Sequence, residues 1–174
     1  HEHAGTFVSA ASPFLPPPEL RNQARRLRGR LPAPVSIWTS AGDGRRDGWT
    51  ISSILVADGE PAELVALIDE DCDWWPLFRE SGLATVNFLG PGQGWVSDVF
   101  ARLAPSPGGP FRTGTWADDR HGPRLEGVAA WAAVRLLDAE PPHAGWGLLV
   151  RSVIERIDLA EDVPPLRHQD GHYL

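Results

Sequence analysis

The sequence contains no lysine; all 16 of its basic residues are arginine. A Walker-type phosphate loop, which needs its lysine, is thereby excluded. There is one cysteine, Cys72, so an intramolecular disulfide and a multi-cysteine zinc centre are excluded as well. Acidic residues outnumber basic ones for a net charge of −7, and no basic stripe interrupts them, so nucleic acid is not the expected partner. No window approaches the roughly 18 uncharged apolar residues of a spanning helix, so no membrane partner is expected. The opening HEHAGTFVSAASPF lacks an initiator Met and the basic and apolar regions of a secretory leader, and the expected location is the cytoplasm.

What is present is the material of a folded globule: 174 residues, 42% hydrophobic, with eight Trp. A Pro-rich arm over residues 1–17 precedes a single domain over 18–174. Its first segment, PELRNQARRLRGR, reads as a helix with Pro18 in the first turn, Glu19 at the positive end and arginines at the other. Leu20, Leu27 and Leu31 fall near helical spacing, which predicts one stripe packed inward. Beyond Pro34 the texture becomes β-rich: VSIWTS, WTISSILVA, AELVALID, LATVNFLG, GVAAWAAVRLLDA and WGLLVRSVIERIDL. AGDGRRDG reads as a hairpin turn between the first two. WPLFRES and GWVSDVFARL read as short helices, the former capped by Asp73, and APSPGGPFRTG as a loop. The fold class is mainly β, a barrel or sandwich with short helices.

Several motifs fail on inspection. GPGQG is followed by Trp95 where a dinucleotide loop needs its third glycine. Asp69, Asp71, Asp73 and Glu80 imitate a calcium loop, but Trp74 stands where its obligatory glycine belongs. His168 and His172 are four apart in a segment with Pro165 and Gly171, so a helical metal pair is not expected and no metal is assigned. No G-x-S-x-G elbow occurs. What remains unexplained is GWTISS. Thr50, Ser52 and Ser53 follow Gly48 in quick succession; they are either solvent-facing strand or turn residues or donors for a ligand.

Read in order, the motifs resemble those of the flavin reductase family of FMN-binding split barrels, from about Leu20 to Tyr173. GWTISS is similar to the family's G-x-T-x-S-S, ATVNFLGPGQGWVSDVFA to its F-x-V-N-x-L…Q…FA, GPRLEGVAA to G-x-P-x-L-x-G-x-x-A, and PPLRHQDGHYL to P-L…G-x-Y. The resemblance implies a split β-barrel with Greek-key features that forms a homodimer. FMN (or FAD) would be the flavin, with NADH or NADPH as co-substrate and hydride passing to flavin N5. A monooxygenase receiving the reduced flavin would be a partner. It implies cofactor contacts at Gly48, Trp49, Thr50, Ile51, Ser52, Ser53, Asp69, Cys72, Asn87, Phe88 and Gln93. His143, matching the histidine of G-D-H, would orient the nicotinamide.

Gly48 would let the chain come close to the ligand, and Asn87 would either brace backbone or meet flavin. Two departures stand out: Pro141-Pro142 replaces Gly-Asp before His143, and Asp69 to Asp73 places carboxylates where a phosphate would be repelled. If that loop faces the ligand, weak FMN binding is expected; if it faces away, Arg45, Arg46 or Arg112 is expected to supply the cation. Alternatives are a flavin or deazaflavin oxidoreductase of the same fold with another substrate, and a non-catalytic flavin-binding protein.

Overall fold

Two faces of one β-sheet carry two separate cores, and the alternation of side chains along the strands creates both. The computed structural model describes residues 18–174, so the Pro-rich arm lies outside the described residues. In chain order the elements are α1 (Pro18–Arg30), β1 (Ala33–Pro34), β2 (Ser36–Gly42), β3 (Arg45–Ile51), β4 (Ile54–Ala57), β5 (Glu63–Ile68), α2 (Trp75–Ser81), β6 (Leu83–Phe88) and α3 (Gly94–Phe100). They continue with β7 (Trp116–Ala117), β8 (Arg124–Leu125), β9 (Ala130–Leu136), β10 (His143–Ala144), β11 (Gly147–Leu159), β12 (Arg167–Gln169) and β13 (His172–Tyr173). The expected loop over 104–114 contains one short 3-10 turn, Pro110–Arg112. No helix among the described residues is long and apolar enough to cross a membrane.

The main sheet runs β3-β2-β6-β9-β11-β5-β4, with β10 on the flank of β11. Every pair in it is antiparallel. Trp38, Leu64, Ile68, Val86 and Val134 point to one face, where α2 adds Trp75 and Phe78. Ile37, Leu89, Leu125, Val96 and Phe100 fill the other, beneath α3. Strand β2, between β3 and β6, is buried along Ser36–Ser40. A hairpin joins β2 to β3 through Asp43 and Gly44, both at positive φ (50° and 75°), the backbone of a two-residue turn that matches strand twist.

One topological fact governs the rest. Strands β3 and β4 are consecutive in the chain yet stand at opposite edges of the sheet. Only Ser52 and Ser53 separate Ile51 from Ile54, and three residue steps span at most about 11 Å. The sheet must therefore curl until its two edges nearly meet at Ser52–Ser53. This is the expected mainly-β split barrel, and its seam is the hydroxyl-rich segment.

Three sequence expectations change here. WTISSILVA is two strands rather than one. The stripe of α1 does not pack inward: Leu20, Leu27 and Leu31 are 58%, 61% and 56% exposed. Periodicity specifies a stripe without naming what lies against it, and among the described residues these leucines stay exposed. Finally, α2 begins at Trp74 without a side-chain cap, so Asp73 does not serve as one; Pro76 sits in the first turn instead.

Candidate active site

The seam leaves backbone and hydroxyls without ladder partners. Ser53 keeps one strand-like bond, its carbonyl accepting the Leu67 N–H at 2.9 Å. Ser52 is exposed and Ser53 half-buried, and among the described residues neither hydroxyl has a hydrogen-bond partner. Two short donors at an open strand break suit a hydroxylated or phosphorylated chain.

The neighbouring expected contacts are employed differently. The Thr50 hydroxyl donates to the Ser97 carbonyl in α3 at 2.7 Å, which ties β3 to that helix. Gly48 lies inside a strand, not at a turn. A Cβ there would stand 3.0 Å from both the Phe100 ring and the Trp38 carbonyl, so the glycine makes room for α3 rather than for a ligand. The Ile51 side chain is buried core. Trp49 and Phe88 are half-buried against the same core. Trp49 carries the Arg102 guanidinium 5.2 Å above its ring.

Asn87 resolves toward bracing. Fully buried, its Nδ2 donates to the Ile37 carbonyl at 3.0 Å and its Oδ1 accepts the Leu125 N–H at 2.9 Å. Gln93 does similar work at the surface, accepting from Gly90 N–H and donating to the Glu126 carbonyl, both at 2.9 Å. Cys72 is a correction to the expected contacts. It is buried in the first core, and burial pushes its thiol up from 9.0 to about 11. A neutral, enclosed thiol is a small hydrophobe here.

The acidic loop after β5 is partly self-satisfied. Asp69 Oδ1 accepts the Asp71 N–H at 2.9 Å, closing a local turn. Glu70 reaches across to His143, with Oε2 and Nε2 2.6 Å apart. That pair lines a cleft of about 780 Å³ with Trp75, Arg79, Glu140 and Leu148. No spacing in the sequence could pair residues 70 and 143; register does. Leu148 pairs with both His143 and Ile68. Ser53 bonds the residue before Ile68, so the seam and the histidine stand three strand spacings apart, about 14 Å.

Of the expected cations, Arg46 is 4.6 Å from the Phe111 ring and 3.8 Å from Asp118, and with Arg45 it sits at the hairpin end of β3. Arg112 lies in the 3-10 turn. The guanidinium beside the GWTISS segment is Arg102, for which the sequence offers no signal. In the middle of α3, the Tyr173 hydroxyl is shared between Ser97 Oγ at 3.1 Å and the Asp98 carboxylate. Burial, with Asp98 alongside, raises that phenol. Among the described residues no group of three metal-ligating side chains is assembled.

The curled sheet has counterparts among known proteins. The family model for the flavin reductase like domain matches residues 28–174. The chain belongs to that family. A family member, FMN reductase (NADH) RutF of Variovorax paradoxus, is 32% identical over 132 residues, covering 75% of this chain and 71% of that one. RutF of Cronobacter turicensis is 29% identical over 150 residues, 86% of this chain and 89% of that protein.

Among solved structures, nitrilotriacetate monooxygenase component B homolog from Mycobacterium thermoresistibile superposes with a TM-score of 0.79 at 21% identity, covering 90% and 86% of the two chains. NADH:FAD oxidoreductase SgcE6 of Streptomyces globisporus C-1027, in complex with NAD and FAD fragments, gives 0.79 at 18% identity, covering 92% and 94%. At that identity these likenesses establish the fold.

Proposed function

We propose that this flavin reductase family chain reduces FMN with electrons from NADH. The observation that carries the reading is the barrel seam, where among the described residues the Ser52 and Ser53 hydroxyls have no partner, on the same sheet as the His143 that lines an open cleft three strand spacings (about 14 Å) away. Its family relatives named FMN reductase (NADH) supply the substrates. A flavin, when bound, supplies the two-electron acceptor. The chain's own part is to hold and align.

Ser52 and Ser53, between β3 and β4, offer short hydroxyl donors to the ribityl and phosphate groups. Half-buried Trp49 and Phe88 provide apolar surface nearby. His143, held at Nε2 by Glu70, orients the nicotinamide amide. Hydride transfer needs alignment and distance rather than a strong base, so a fixed imidazole suffices.

The finer parts of the proposal are a homodimer with flavin near the interface and delivery of reduced flavin to a monooxygenase. The exposed leucines of α1, together with exposed Leu55, Val56, Ile157 and Leu159, support association, since such surface usually finds a partner. A fold relative that is a monooxygenase component supports delivery. The test is NADH oxidation by purified protein with and without FMN. The expected result is oxidation that requires added FMN. Flavin binding without turnover of either nicotinamide would make the chain a binding protein instead.

A further inference from the structure

Helix α3 ends in a glycine-type cap that has no glycine. The Leu103 N–H donates to the Asp98 carbonyl at 2.9 Å and the Arg102 N–H to the Val99 carbonyl at 3.1 Å, the two bonds of a Schellman cap. The residue that must adopt the left-handed conformation between them is Arg102, at φ 62°. A Cβ disfavours that conformation, and glycine is the usual occupant. The same chain ends α2 in the ordinary way, with Gly82 at φ 74°. Left-handed residues with side chains persist where surroundings hold them, and they concentrate at ligand clamps.

The side chain's surroundings suggest what it clamps. Its guanidinium lies 5.2 Å over the Trp49 ring and donates to Asp47 Oδ1 at 3.0 Å. Helix α3 runs beside β3, tied by Thr50 to Ser97 and seated on Gly48 through Phe100. Trp49 is three residues from Ser52, about 10 Å along the strand, whereas Arg46 is six away, about 20 Å. Of the five N–H donors of a guanidinium, one meets Asp47, and the side chain keeps 34% exposure. Asp69, Asp71 and Asp73 are exposed in the loop after β5, so a phosphate at the seam needs a cation to offset them.

We propose that Arg102 anchors the phosphate of the flavin, and that its presence in place of glycine is retained for that contact. This rests on the flavin reductase reading. A guanidinium binds phosphate through parallel charge-assisted bonds and offsets the repulsion from the acidic loop.

The test compares FMN with riboflavin, which lacks the phosphate, by fluorescence titration of the wild type, Arg102→Gln and Arg102→Gly, with thermal melts of each. Wild type should bind FMN more tightly than riboflavin. Both variants should lose about tenfold or more in FMN affinity while riboflavin stays within about twofold. Arg102→Gly should melt at or above the wild-type temperature, since glycine relieves the cap. Unchanged FMN affinity in the variants, a parallel loss for both flavins, or a wild type that does not distinguish them overturns the assignment. A wild type that binds neither flavin overturns the flavin reading itself, and the assignment with it.

Discussion

At the scale of single residues, burial decides which candidate side chains are free to meet a ligand. Asn87 has both ends of its amide committed to backbone, so Asn87→Ala leaves a buried carbonyl and a buried N–H unpaired. A loss of about 2–4 kcal/mol is expected in urea unfolding. By contrast, Ser52→Ala with Ser53→Ala removes hydroxyls that serve no described protein partner. Stability should move by less than about 0.5 kcal/mol, while FMN binding weakens in titration.

Cys72 gives a prediction in pH. The folded state holds the thiol protonated up to about 11, whereas the unfolded thiol ionises from about pH 8.5. Its contribution is therefore complete at neutral pH and falls as pH rises through that window, by about 3 kcal/mol at most. Unfolding at about pH 8 and pH 10 should show a smaller decline in Cys72→Ala than in wild type. The sequence left Asn87 open between two roles and placed Cys72 among the ligand contacts. Neither residue's neighbours are within 30 positions in the bonds that settled the first (Ile37 and Leu125), and enclosure of the second is a property of the assembled core.

At the scale of elements, most of the layout could be read from local pattern: α1, α2, α3, the β2–β3 hairpin and the long strands all stand near their expected positions. What local pattern missed was the cover on each element and the break within one of them. Leucine spacing in α1 was correct as a stripe and wrong as a statement of burial, because periodicity specifies a face without naming what lies against it. The loop before β8 shows the opposite case, strong tertiary constraint without a sequence signature. Thr39 donates to the Pro123 carbonyl at 2.6 Å and Thr85 to the Gly122 carbonyl at 2.8 Å, drawing the loop onto the sheet. A Cβ on Gly122 would lie 2.2 Å from the Thr39 carbonyl oxygen, at a φ of 145°. Gly122→Ala should accordingly cost more than about 2 kcal/mol, measurable as a lower midpoint in denaturant.

At the scale of the whole molecule, the site exists only because the sheet closes. Closure brings β3 to β4 at Ser52–Ser53, and register across β10, β11, β5 and β4 sets the His143–Glu70 pair three strand spacings from that seam. His143→Ala should reduce kcat/KM for NADH by about tenfold while leaving the dissociation constant of FMN within about twofold, a split visible by combining steady-state rates with flavin titration. Equal losses in both would place the histidine at the flavin instead.

By itself the sequence determined composition-level exclusions, the element types, and a motif order specific enough to resemble one family, because these depend on neighbours a few residues apart. Tertiary structure alone decided that GWTISS lies at the barrel's seam, that Thr50, Asn87 and Gln93 spend their polar atoms on the scaffold, and that Arg102 is the nearby cation. Those outcomes depend on which distant strands become edges and meet, and the free energy that selects them comes from burying both faces of one curled sheet at once.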